Sequence, residues 1–151
     1  MLLDNIDRKI LRCIQVDTTR PLAEIAEEVG LSTSPCWKRI KRLEAEGYIL
    51  ERVALLARER LDLAVTVFVA VKTNQHQESW LEEFARIVSE IPEVMEFYRM
   101  SGEVDYLLKM VCKDIADYDR IYQSLIKRTA IYDVSSSFAM EQIKYTTRLP
   151  I

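Results

Sequence analysis

Lys38, Arg39, Lys41 and Arg42 put four cations into five positions, directly after the hydroxyl-bearing run Ser32-Thr33-Ser34. A cluster of this kind can neutralise phosphate oxygens, with a strength that falls as salt rises. Trp37 stands immediately before the four. Competing chemistry is sparse. The one histidine, His76, sits in the polar stretch Thr73-Asn74-Gln75-His76-Gln77, and the sequence gives it neither nucleophile nor orienting acid. No HExxH, GxSxG, P-loop or GxGxxG pattern occurs, so no enzyme is expected. Cys13, Cys36 and Cys112 are widely spaced and odd in number. They make neither a CxxC site nor a disulfide framework, and no cysteine–histidine cluster is present to hold a metal. No cofactor is expected.

The elements around the cluster decide what it can reach. Leu3, Ile6, Ile10, Cys13 and Ile14 recur at helical spacing. Asp4 is placed to cap that helix, with Asp7 near its positive end. Leu22, Ile25, Ala26 and Val29 make a second, short stripe after Pro21, and Gly30 ends it. Ser32 is then the expected N-cap of a third helix, with Pro35 in its first turn and Gly47 as its stop. Cys36, Ile40 and Leu43 share the inner face of this helix, which leaves Ser34, Trp37, Lys38 and Lys41 mainly outside. Residues 48–50 and 53–55 are expected to pair as a small ribbon. Helices joined by a tight turn, followed by a wing-like ribbon, make a winged helix-turn-helix over residues 1–51.

A helix fits the major groove of B-form DNA, and its N-terminal part can touch base edges. Ser34, Trp37 and Lys38 are the candidates for base or groove contact; Arg39, Lys41 and Arg42 are expected to hold phosphates. The plainer alternative is a solvated helix face, on which Lys41 pairs with Glu44 three residues away. An exposed tryptophan has little use on such a face.

Residues 52–63 are charged and irregular and are read as a linker. Residues 65–71 form an apolar strand, Trp80 to Ile91 a helical stripe ended by Pro92, and 94–101 and 106–112 two further strands. A second helix carries Tyr118, Ile121, Tyr122 and Leu125; a fourth strand covers 134–140, and 144–149 extend it or add an edge strand. The predicted fold is therefore α+β: an N-terminal winged helix-turn-helix, then a C-terminal ferredoxin-like βαββαβ domain over 64–151. Two helices cover one face of such a sheet. Val65, Val67, Val69 and Val71 share one face of the first strand and Thr66, Phe68 and Ala70 the other, and a single chain would expose one of these surfaces as an apolar patch. Self-association, most simply a closed homodimer, is the economical remedy. A dimer would offer two reading helices to a near-palindromic duplex site.

Composition bounds the rest. The 151 residues are 49% hydrophobic and 30% charged, with a net charge of -3. Residues 1–60 hold eleven Lys and Arg against ten Asp and Glu; the remainder holds ten against fourteen. The basic density is thus local rather than global. No apolar run approaches 18 residues and no signal peptide is visible, so a cytoplasmic protein with no membrane partner is expected.

The sequence resembles the leucine-responsive regulatory protein (Lrp/AsnC) family of transcription regulators. The likeness rests on residues 3–11, on Gly30-Leu31-Ser32-Thr33-Ser34-Pro35-Cys36 and on Arg39-Ile40-Lys41-Arg42-Leu43-Glu44. It continues in Gly47-Tyr48-Ile49, Ser101-Gly102-Glu103-Val104-Asp105 and Thr146-Thr147-Arg148-Leu149-Pro150. It implies a sequence-specific transcription regulator modulated by a small amino acid, dimeric through its sheets and assembling further, often to octamers. An amino-acid-sensing oligomer with only architectural or non-specific DNA binding is the alternative. The resemblance would place the effector at Ser101, Gly102, Glu103 and Asp105, with Ser135, Ser136 and Ser137 as a further wall. Gly102 would bring a backbone amide to the effector's carboxylate, and Asp105 would meet its ammonium. The chain departs from the family pattern at Asp17-Thr18-Thr19-Arg20, Leu50-Glu51-Arg52 and Tyr132-Asp133-Val134.

Overall fold

The computed structural model describes residues 2–74, 78–129, 131 and 133–151. His76 and Tyr132 therefore lie outside the described residues. The chain divides into two compact units, Met1–Leu55 with Lys144–Ile151, and Leu56–Ile143.

The first unit is a trihelical head. Helix α1 spans Asn5–Ile14 and opens with a reciprocal capping box. The Asp7 amide donates to Asp4 Oδ1 at 2.7 Å, and the Asp4 amide donates to Asp7 Oδ2 at 3.2 Å. Helix α2, Leu22–Val29, ends at Gly30 with φ 75°, a left-handed cap that glycine accepts without a Cβ clash. Helix α3, Thr33–Ala45, starts from Ser32 in extended conformation, and Pro35 falls in its first turn. The Ser32 side chain makes no capping bond, so the expected N-cap is positional only. Ile10, Ile14, Ile25, Ala26, Val29, Cys36, Ile40 and Leu43 form the buried core between the three helices.

Two expectations for this unit are corrected. Residues 48–50 and 53–55 form no ribbon; the stretch carries no strand, and Leu50, Val53, Leu55 and Leu56 are exposed. Two three-residue arms bury too little for an isolated ribbon to hold. Residues 144–149 form no strand either. Lys144–Ile151 groups with the head rather than with the sheet, where a second domain over 64–151 would have placed it. The Gln15 side-chain amide accounts for this: it accepts from Leu149 N at 2.8 Å and donates to Leu149 O at 3.1 Å. Arg12 Nε donates to Ile151 O, and Ile151 packs against the head's core.

The second unit begins with a single 3₁₀ turn, Arg58–Leu61. Strand β1 (Val65–Lys72), helix α4 (Glu78–Ser89), β2 (Val94–Arg99), β3 (Tyr106–Cys112), helix α5 (Ile115–Arg128) and β4 (Asp133–Phe138) follow in the predicted βαββαβ order. The strands lie β2-β3-β1-β4 and every neighbouring pair is antiparallel. Register places Val67 opposite Met110 and Phe138, and Val69 opposite Leu108 and Ser136. Strand alternation then puts Val67, Val69, Val71, Leu108 and Met110 on the helix-covered face, buried with Phe84, Ile87, Ile121 and Leu125. Trp80 stacks on Phe84 at 4.9 Å, and Phe97 meets Phe84 edge-on at 5.4 Å, which seals one end of this core. The opposite face carries Phe68, Ala70, Leu107 and Tyr98, crossed by a Lys109–Glu96 ion pair at 2.7 Å.

Candidate functional site

The α3 backbone sorts the basic cluster by phase. With Cys36, Ile40 and Leu43 fully turned into the core, residues 34, 38 and 41 fall on the opposite side of the helix. Ser34, Lys38 and Lys41 are exposed there, and Trp37 is 50% exposed beside them. The covered half of the indole forms a wall of a cleft of about 480 Å³, floored by Ile14, Leu22, Ile25 and Ile40. The other half faces out with the lysines. Lys41 Nζ reaches Glu44 Oε2 at 2.7 Å, and Arg52 holds the second Glu44 oxygen at 2.8 Å. Lys41 is the chief cause of a Glu44 carboxyl held below its ordinary range, with Arg52 contributing. Lys38 has no ion-pair partner among the described residues.

Arg39 and Arg42 do not share this face. Arg39 NH1 donates to Asp7 Oδ1 at 2.8 Å and also to Asp4. Arg42 NH2 pairs with Asp7 Oδ2 at 2.6 Å. Both guanidinium groups, expected to hold phosphates, are here engaged with carboxylates of α1. Asp7 is 1% exposed and sits at the centre of this network. Sequence reasoning placed Asp7 only at the helix's positive end and missed its burial. Its signal was available: Arg39 follows three residues after buried Cys36, so it lies beside the core stripe.

The second predicted site is divided. Ser101, Gly102 and Glu103 are exposed on the turn between β2 and β3, where Gly102 adopts φ 111°. Asp105 is half-buried, and its Oδ2 accepts from the Thr73 amide at 2.8 Å, so one carboxylate oxygen already ties the turn to the end of β1. Ser135, Ser136 and Ser137 lie on β4, at the sheet edge opposite β2. The nearer strand of the turn's own pair, β3, is two strand spacings away, about 10 Å. Ser135 and Ser137 face the open side of the sheet. Ser136 faces the helices and hydrogen-bonds with the Tyr118 hydroxyl. Within one chain the serines and the turn are not brought together. The Thr73 amide is a contact that sequence reasoning had no means to find.

A helix-turn-helix head with an outward cationic face, joined to a small sheet unit with one uncovered side, defines a DNA-binding regulator. Comparison with known proteins agrees. Residues 3–44 match the AsnC-type helix-turn-helix domain, and residues 66–149 match the Lrp/AsnC ligand binding domain. The DNA-binding transcriptional activator DecR of Escherichia coli is 50% identical over 151 residues, covering 99% of either chain. A crystal structure of an AsnC family transcriptional regulator from Agrobacterium tumefaciens is 56% identical, with a TM-score of 0.95, covering 98% of this chain and 97% of that one. The transcriptional regulator NMB0573 of Neisseria meningitidis, solved with L-Met, is 35% identical with a TM-score of 0.93, covering 99% and 97%.

The chain belongs to the Lrp/AsnC family of transcriptional regulators. It is a sequence-specific DNA-binding transcription regulator with a ligand-binding domain. Among the described residues no group of acidic, histidine or cysteine side chains could hold a metal, and no helix is long and apolar enough to cross a membrane.

Proposed function

We propose that paired chains read a near-palindromic duplex through Ser34, Trp37, Lys38 and Lys41, and that a small amino acid bound near the 101–105 turn modulates this binding. The observation that carries the reading is the outward face of α3. An exposed indole and two lysines share it, while the apolar residues of the same helix are fully buried. The uncovered sheet face supports pairing through Phe68, Ala70, Leu107 and Tyr98, and dimers assemble further, to octamers, through the remaining surface. Access to chromosomal DNA places this work in the cytoplasm.

For the effector, the L-Met complex of the Neisseria relative supports an amino acid. The exposed Gly102 amide suits a carboxylate, and the second Asp105 oxygen suits an ammonium. In this reading Ser135 and Ser137 reach the effector only from a neighbouring chain, since their own turn lies across the sheet. Ser136, turned to the Tyr118 hydroxyl, is left out of this reading. Residues 1–51 act as the reading head, 52–63 as the link and 64–143 as the sensing part.

A mobility-shift titration on the protein's own upstream region, with competitor duplex, tests the reading. Lys38→Ala and Lys41→Ala are expected to weaken binding several-fold each with unchanged assembly mass by light scattering. Wild-type affinity in both variants refutes the assignment of the face. Salt-sensitive binding without sequence preference favours an architectural role instead.

A further inference from the structure

Helix α3 carries four cations but shows only two of them to solvent-borne partners. The other two share one buried carboxylate, Asp7. Asp7 is 1% exposed, yet it lies between both guanidinium groups, with Oδ1 at 2.8 Å from Arg39 and Oδ2 at 2.6 Å from Arg42. Asp4 takes a further bond from Arg39, and Glu46 stands 4.0 Å from Arg42 Nε. The two arginine side chains remain 28% and 31% exposed, so they lie near the surface and could swing outward if released. A buried carboxylate holds its two charged donors firmly, because losing them would leave it desolvated and unpaired.

We propose that Asp7 is a specificity-determining positioning residue. By holding Arg39 and Arg42 against α1 it withholds two cations from the phosphate backbone, so that the reading face engages DNA through Lys38 and Lys41 alone. This rests on α3 being the reading helix. Phosphate contacts are blind to sequence, and each adds about 0.9 to the dependence of log affinity on log salt. A head presenting four cations would hold any duplex more tightly, and the genome offers a vast excess of wrong sites. Asp7 removes that sequence-blind share while anchoring the rotation of α3 that points Ser34 and Trp37 outward.

The test uses the full chain and two duplexes, one selected from a random pool and one of random sequence, titrated by fluorescence anisotropy from 50 to 300 mM salt. Asp7→Asn is expected to steepen the salt slope on random duplex by about 1 to 2 per head. Its affinity for that duplex at 50 mM salt should rise roughly tenfold or more, and the selected-to-random ratio should fall. A slope that is unchanged or shallower overturns the proposal. With Asp7 intact, the double variant Arg39→Gln/Arg42→Gln should leave the slope as in wild type; a drop of about 1 per removed arginine means that they already touch phosphates, and overturns it. Adding both glutamines to Asp7→Asn should return the slope to the wild-type value, which a merely structural role for Asp7 would not do. If Asp7→Asn or the double glutamine variant fails to fold by circular dichroism, the single variants Arg39→Gln and Arg42→Gln, each of which leaves Asp7 one cation, decide: an unchanged slope in both supports the proposal, and a drop of about 1 in either overturns it. Lys38→Ala/Lys41→Ala separates the two readings: if it too leaves the slope unchanged, α3 is not the reading helix and the proposed function itself fails.

Discussion

Phe68 offers a quantitative test of pairing through the sheet. It lies mid-way along β1 on the face without helices, between Lys109 of β3 and Ser137 of β4, and is 39% exposed. A phenylalanine presents about 200 Å², so about 80 Å² of ring stays in water in a single chain. Covering that area with a second copy contributes about 2 kcal/mol. In a two-fold interface the same patch appears twice, which gives about 4 kcal/mol. Phe68→Ala is therefore expected to raise the dimer dissociation constant by roughly 10³. The remainder of the ring, about 120 Å², lies on its own sheet, so truncation also lowers chain stability, by up to about 3 kcal/mol. Sedimentation velocity across a thousand-fold concentration range reads the mass, and far-UV circular dichroism at the same temperature establishes that the variant is folded. Lighter species at the dilute end are the expected result. A folded Phe68→Ala that keeps the wild-type mass throughout refutes the assignment of this face.

Gly102→Trp is expected to abolish any amino-acid response measured by calorimetry, and Asp105→Asn to weaken it at least tenfold; unchanged binding in both moves the effector elsewhere. Acid should destabilise the protein in a defined direction. The Asp4 carboxyl is held below its ordinary range, first by the Asp7 amide and then by Arg39; Arg20 does the same for Glu28, and Lys109 for Glu96. Folded values below unfolded ones mean that this stabilisation is complete above about pH 4 to 5 and is lost as pH falls through the folded values. Urea midpoints should hold between pH 7 and 5 and drop at pH 3; a midpoint that rises on acidification contradicts these pairs. Burial pushes the Cys112 thiol up to about 11, so at pH 8 only about one molecule in a thousand carries the thiolate. Iodoacetamide should label Cys112 in denaturant and not in the native protein, as read by mass spectrometry.

Local periodicity carried most of the fold. The α1 and α3 stripes, the largely apolar β1 and the Pro92 and Gly30 stops are one-dimensional signals, and the elements form where those signals place them. What failed needed a third dimension. Four cations within five positions look alike in a sequence, yet a step of about 100° per residue sets Lys38 opposite the core and Arg39 against its edge. Only the presence of Asp7 across from it turns that edge position into a pair. The β4 serines likewise read as one polar run. Strand alternation sends Ser136 to the Tyr118 side and its two neighbours to the other. The attachment of Leu149 to Gln15 spans 134 positions and has no local signature at all.

That last attachment builds the head from two stretches of chain far apart in sequence. Residues up to 55 supply its helices, and 144–151 rejoin it after the sheet unit. A single cut in the connecting segment would therefore not release a whole head: the freed piece would lack the strand of backbone that Gln15 grips and the isoleucine that closes its core. Division of labour in this regulator does not follow division of the chain.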